Sequence, residues 1–154
     1  MNTPALQWLA LPFRQLSVER LHDLLRLRVD VFIVEQQCLY PEIDGRDPEA
    51  VHVLGYGADG RLRAYARILP PQGEGVPHIG RVVVHPDDRG LRLGAIVMQE
   101  ALRASERIHG TPRSAVAAQA HLQKFYEGLG YVRTGDVYDW DGIPHVDMLR
   151  EGRP

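Results

Sequence analysis

A mixed α/β sheet is the fold class this sequence predicts, and three observations predict it. Two strand-length runs, Val51–Gly57 and Arg61–Leu69, flank Ala58-Asp59-Gly60. The Asp-Gly pair supplies the positive φ angles that a hairpin turn needs. Strands and helical stretches then alternate from His78 to Leu129. The chain closes on two more strands, joined by Asp141-Gly142. Early hairpin, central alternation and final hairpin together imply the mixed sheet.

Each element has its own justification. Leu6–Phe13 reads as a first strand. Ser17 is a good N-cap, and Glu19 sits in the first turn against the helix dipole. Leu21, Leu24, Leu25 and Phe32 then recur at helical spacing. Arg28 interrupts that stripe, so its charge either snorkels or meets an acid. Glu35–Pro48 is polar and carries Pro41, Gly45 and Pro48; it reads as an ordered loop with room for one helical turn. Pro70, Pro71, Gly73 and Gly75 mark a second loop. His78–His85 holds Val82-Val83-Val84, as a strand buried on both faces does. Pro86–Gly90 turns the chain. Leu93, Val97, Ala101, Ala104 and Ile108 share a helix face that Gly110 and Pro112 end. Ser114–Gln119 is a short central strand of small residues. His121–Leu129 places Leu122, Phe125, Tyr126 and Leu129 on one helical stripe, with Gly130 at C′. The last strands span Tyr131–Trp140 and Ile143–Leu149.

Composition bounds the function. The 154 residues suit one domain, 1–154, with a real core. Apolar residues are 44% and charged residues 25%, so disorder is expected only at Met1–Pro4 and Gly152–Pro154. A formal charge of −2 gives no basic field for nucleic acid. Cys38 is the one cysteine, which excludes an internal disulfide and favours a reducing, cytoplasmic setting. A half-buried thiol is the simpler reading of Cys38 than a nucleophile. No apolar run reaches the roughly 18 residues of a membrane span, and no signal peptide is evident. The seven histidines form no H-E-x-x-H or tight His/Cys cluster, so no metal is expected.

The strongest local signal runs from Val82 to Ala95. A buried strand ends at His85, a short turn follows, and a helix opens at a glycine-bearing loop. Unpaired N–H groups at a helix start attract anions, and a pyrophosphate fits there. Gly90 and Gly94 let a ligand approach the backbone, while Arg89 and Arg92 add charge. The bland alternative is a plain strand–turn–helix joint with solvent-facing arginines. Neither G-x-G-x-x-G nor the P-loop G-K-[ST] is present.

This segment resembles motif A of the GNAT acetyltransferases, Q/R-x-x-G-x-G/A. Arg89 and Gly94 fall on its first and last positions, and Arg92 stands where the middle glycine is usual. Gln119-Ala120-His121-Leu122-Gln123-Lys124-Phe125-Tyr126-Glu127-Gly128-Leu129-Gly130-Tyr131 resembles the family's motif B, with Gln119 in place of an asparagine. Leu27–Gln36 resembles its first-helix region. With Ile43-Asp44-Gly45, Ala64-Tyr65-Ala66-Arg67 and Asp141-Gly142-Ile143-Pro144-His145, the chain is similar to the ElaA-like branch over nearly its whole length.

The resemblance implies a GNAT acyl-CoA N-acyltransferase fold of about seven strands and four helices. It implies acetyl-CoA lying between two splayed strands, Val82–Val84 and Ala115–Gln119. Val82, Val83, Val84 and Gln119 would meet the pantetheine arm, and Arg89, Gly90, Arg92, Gly94 and Ala95 the pyrophosphate. The implied reaction is direct attack by an amine on the thioester, without metal. Tyr126 matches the tyrosine that protonates the leaving sulfur, although its spacing alone suits the apolar stripe. The base has several candidates. Glu35 either takes the amine proton or pairs with Arg28. His145 has a suitable reference pKa. His121 lies beside the cofactor strand. Acids between Glu35 and Glu49, Asp44 among them, hint at a cationic acceptor, though a solvated loop explains them as well. Two other readings stay open: an acyl-CoA-binding sensor without turnover, and a non-enzymatic domain whose loops mimic motif A. The closing strands also offer edges for a homodimer.

Overall fold

The computed structural model describes residues 3–38, 40–73 and 75–152. The ends expected to be loose extend to Met1, Asn2, Arg153 and Pro154, which lie outside the described residues. Eight strands form one sheet: β1 (Gln7–Pro12), β2 (Val51–Tyr56), β3 (Leu62–Leu69), β4 (His78–Val84), β5 (Ser114–Gln119), β6 (Tyr131–Arg133), β7 (Tyr138–Trp140) and β8 (Ile143–Arg150). Their order is β1-β2-β3-β4-β5-β8-β6, with β7 also on β8. Only β4 and β5 run parallel. The sheet is therefore mixed, as the sequence predicts. The single strand expected over Tyr131–Trp140 is two, because Gly135 and Asp136 are poor strand formers and break it.

Three α-helices cover the sheet: α1 (Val18–Arg28), α2 (Leu93–His109) and α3 (Gln123–Glu127). Strand alternation sends Val53, Ala64, Ala66 and Ile68 toward α2, with Val116 and Ala118 from β5. It sends Leu54, Leu62, Tyr65 and Val83 toward α1, where Leu24 and Leu27 meet them. Ser17 caps α1 by accepting from the Arg20 amide at 3.1 Å. Beyond Arg28 the α-helix gives way to a π-helical stretch, Val29–Glu35, in which Gln36 N–H donates to the Val31 carbonyl oxygen. The β-branched run Val29, Val31, Ile33, Val34 disfavours ordinary α-geometry there.

Four expectations need correction. Among the described residues there are three α-helices, not about four, and eight strands, not about seven. Ile108 is 41% exposed, so the α2 stripe turns away from the sheet before its last residue. The helix expected over His121–Leu129 is a 3₁₀ turn, Ala120–Leu122, followed by the five residues of α3, and Leu122 is exposed. Val83 is buried, but Val82 and Val84 are only half-buried, because β4 lacks a full neighbour on one side.

That lack is the fold's main irregularity. β4 pairs with β5 at a single position, His78 with Ala115. Past that rung the strands diverge. A bulge in β4 adds to the irregularity. Tyr65 faces Val83 and Arg67 faces Gly80, so Ala66 confronts both Arg81 and Val82. Arg81 takes φ +52°, a left-handed conformation usual for a bulge glycine and unusual for arginine.

Candidate active site

The gap between β4 and β5 is lined by backbone. His85 N–H donates to the Arg63 carbonyl oxygen at 2.7 Å. Amides alternate along a strand, so that of Val84 points away from β3 and into the gap. Next comes a 3₁₀ turn, Pro86–Asp88, in which the Asp87 amide donates to His85 Nδ1. Arg63 donates to both oxygens of the buried Asp88 at 3.2 and 2.9 Å, fastening the turn to β3. Gly90 has φ +80°, and Arg92 has φ +64°. Arg92 thus adopts the conformation a glycine would take at that position, and it does so at a strain of about 1–2 kcal/mol. The N-terminal amides of the 17-residue α2 open beyond it.

Val84, Arg89, Gly90, Arg92, Gly94 and Ala95 line one open depression with Asp88, Leu93 and Phe125. Six of the predicted cofactor positions therefore share a surface. Val82 and Val83 continue it along β4, and Gln119 ends β5 across the gap. Phe125 was not singled out by sequence reasoning. Its ring lies against Gly94, where an added Cβ would meet Phe125 Cζ at 3.6 Å.

Tyr126 is 7% exposed and meets Phe125 and Tyr131 edge to face, at 5.1 and 5.8 Å between ring centres. Its ring is packed, and its hydroxyl makes no hydrogen bond with the described residues. Burial, reinforced by Tyr131, pushes this phenol up to about 12.

Glu35 and Arg89, one a candidate base and the other a candidate pyrophosphate ligand, are bound to each other. Arg89 Nη2 donates to Glu35 Oε1 at 2.6 Å, and Nη1 donates to the second oxygen. The hydrogen bonds from Arg89 hold the Glu35 carboxyl below its ordinary range. The alternative pairing with Arg28 does not occur. His145 is differently placed. It lies opposite Gln119 on β8, and its Nδ1 is 2.8 Å from the Ile143 carbonyl oxygen. A carbonyl only accepts, so Nδ1 carries the proton and Nε2 keeps its lone pair. His121 is exposed on the 3₁₀ turn before α3.

The acidic loop is spent on arginines. Arg28, fully buried, donates to Glu42 Oε2 at 2.6 Å, to the Glu42 carbonyl at 2.8 Å and to Asp47 Oδ1 at 2.8 Å. Arg67 donates to both Asp44 oxygens and to Asp47 Oδ1. Arg81, turned by the bulge, donates to Glu42 Oε2 at 3.0 Å and lies over the Tyr40 ring. His52 Nε2 donates to the Asp47 carbonyl, and its Nδ1 accepts from the Tyr65 hydroxyl. Burial pushes the Asp44 carboxyl up, but hydrogen bonds from Arg67 and from the Arg46 amide outweigh it and hold Asp44 far below the usual range. Asp47 is also held low, because Arg28 outweighs its burial. The strap 40–48 is thus pinned to the sheet by three guanidinium groups and three carboxylates. Asp44 serves this network. Arg28's sequence alternatives resolve to acidic partners.

A model of the acetyltransferase (GNAT) domain matches residues 21–151. The chain is 43% identical to protein ElaA of Escherichia coli over 151 residues, which is 95% of this chain and 97% of that one. A UPF0039 protein of Schizosaccharomyces pombe is 41% identical over 140 residues, 90% of this chain and 93% of the other. Among solved structures, an acyl-CoA N-acyltransferase from Pseudomonas aeruginosa superposes with a TM-score of 0.89 at 42% identity, covering 94% of this chain and 99% of its own. The ElaA crystal structure gives a TM-score of 0.86, covering 95% and 99%. The family model spans most of the chain and the relatives exceed 40% identity over nearly all of it, so the chain belongs to the GNAT acetyltransferase family.

Proposed function

We propose that this protein transfers an acetyl group from acetyl-CoA to an amine by direct attack, with Tyr126 and His145 as its proton-handling groups. The observation that carries this reading is the β4–β5 divergence, which leaves the Val84 amide facing a gap that ends at the turn before the α2 N-terminus. Family membership and the likeness to an acyl-CoA N-acyltransferase support it. The pyrophosphate is held by the α2 amides with Arg92 and Arg89, beside the Phe125 ring.

His145 Nε2 accepts the proton of the incoming ammonium. The neutral nitrogen then attacks the thioester carbonyl carbon, and a C–N bond forms. The tetrahedral intermediate collapses as the C–S bond breaks, and negative charge gathers on sulfur. The Tyr126 hydroxyl, protonated at any pH near neutrality, donates to that sulfur, and the second proton shed by the new amide nitrogen returns the tyrosinate to a phenol. Glu35 is the weaker candidate for base, because a carboxylate in a bidentate pair with Arg89 is stabilised in its charged form and is a poor proton acceptor.

The test is the pH–rate profile of thiol release from acetyl-CoA with an amine panel, for the wild type, His145→Ala and Glu35→Gln. His145→Ala is expected to abolish the acid-side limb, where rate rises with pH, and Glu35→Gln to retain it. The reverse result moves the base to Glu35. A thermal-shift series with acetyl-CoA tests donor binding separately, since a ligand specific to the native state must raise the Tm.

A further inference from the structure

The hairpin that carries His145 has an aromatic face. Tyr138 lies opposite His145, and Trp140 lies opposite Ile143. Strand alternation puts both rings, the imidazole and Asp147 on the same side of the sheet. The Tyr138 ring is 6.1 Å from the imidazole and inclined to it by 27°, and the Trp140 ring is 5.2 Å away at 56°. The Tyr138 hydroxyl donates to Asp147 Oδ1 at 2.6 Å. These contacts fix the rings in place, yet Trp140 stays 46% exposed and Tyr138 36%. The other tryptophan, Trp8, is packed so closely on Gly55 that a Cβ there would meet its ring at 2.6 Å.

The face is also negative. Asp147 lies on it and Asp136 and Asp141 lie at the two ends of β7, while Asp139 points to the opposite side; from Thr134 to Leu149 the chain has no lysine or arginine. Among the described residues no arginine pairs with Asp141 or Asp147, whereas Glu42, Asp44 and Asp47 each pair with two. Burial, and next the charge of Asp141, push the Cys38 thiol up. Exposed aromatic rings beside unpaired carboxylates complement a cation.

A singly charged amine does not use this surplus well, because its nitrogen must become neutral to attack. A second charge that stays protonated through the reaction does. We propose that the acceptor is a diamine or oligoamine. One nitrogen gives its proton to His145 Nε2 and is acylated, while a second ammonium rests on the Trp140 and Tyr138 rings beside Asp147, unchanged by the reaction. This rests on the acyl-transfer reading above.

The experiment compares 1,5-diaminopentane with pentylamine as acceptors, acetyl-CoA being the donor and thiol release the readout. The wild type is expected to favour the diamine in kcat/KM by about tenfold, mostly through KM. Trp140→Ala and Asp147→Asn should bring that ratio near one, and Trp140→Phe should retain most of it. Equal use of the two amines by the wild type, or a ratio that Trp140→Ala leaves intact, overturns the proposal. Trp140 fluorescence in a Trp8→Phe background separates this failure from that of acyl transfer. Quenching by the diamine alone, without thiol release, keeps the cation site and sinks the acyl-transfer reading. Equal response to both amines sinks the cation site. Sedimentation showing a dimer that Trp140→Ala dissociates would assign the face to a second copy and also overturn the proposal.

Discussion

Replacing Arg28 by Met tests whether the strap is held by charge. Arg28 is fully buried, and its partners Glu42 and Asp47 are each 5% exposed. Around it, Arg28, Arg67 and Arg81 face Glu42, Asp44 and Asp47, so the cluster is neutral as built. Methionine fills much of the volume but leaves one net negative charge sealed from water. Breaking one side of a buried pair costs about 3–5 kcal/mol. For a chain of this length each kcal/mol lowers the Tm by about 2–4 °C, so the expected drop is about 6–20 °C by calorimetry. Arg26→Ala is the control: Arg26 pairs with Asp30 at 3.6 Å, with both side chains more than half exposed, and its loss should change stability by less than about 1 kcal/mol. Adding Glu42→Gln to Arg28→Met restores neutrality and should recover part of the loss. If Arg28→Met costs no more than the Arg26 control, or if the second substitution makes it worse, charge balance is not what holds the strap.

The same cluster sets the acid limit. The folded carboxyls of Asp44 and Asp47 lie below their unfolded values near 3.9, so the unfolded chain takes up protons first as pH falls. Their stabilisation is whole above about pH 4 and drains away below it, and urea midpoints from pH 7 to 2 should show that fall. Arg92→Gly relieves the left-handed strain, offset by glycine's freedom in the unfolded state, for a net gain of about 0.5–1 kcal/mol. The same change removes a phosphate ligand, so acetyl-CoA affinity measured by calorimetry should fall; a loss of stability would refute the strain assignment. Tyr126→Phe should lower turnover at least about tenfold with donor affinity nearly unchanged, and an unaltered rate would remove Tyr126 from the chemistry.

Much of this molecule is legible in the sequence wherever a local rule governs. Ser17 and Gly110 act at helix ends as their types require, and hairpin chemistry sits at Asp59-Gly60 and Asp141-Gly142; Gly130, expected at C′, instead lies beyond it, because α3 ends at Glu127 with Gly128 as its cap. The predicted motif A positions from Arg89 to Ala95 share one surface because they are contiguous. What eluded reading depends on distant partners. Nothing near Arg81 announces a bulge, since it arises from register against β3. The acids of the strap look like a solvated loop until Arg28, Arg67 and Arg81 arrive from three other elements. Glu35 and Arg89 are 54 residues apart, and no spacing links them. Trp140 was only the end of an expected strand, and its exposure becomes telling once β8 places it beside His145.

The single rung between β4 and β5 has one more consequence. A row of unpaired strand amides is ordinarily a template for another chain and an aggregation hazard. Here that row lies on the fourth strand of the sheet, not at its rim. It closes at His78 and Ala115 on one end and meets the 3₁₀ turn on the other. An incoming strand finds only a short blind slot with nowhere to continue. The protein thus carries open backbone groups at its centre without offering its neighbours a strand to extend.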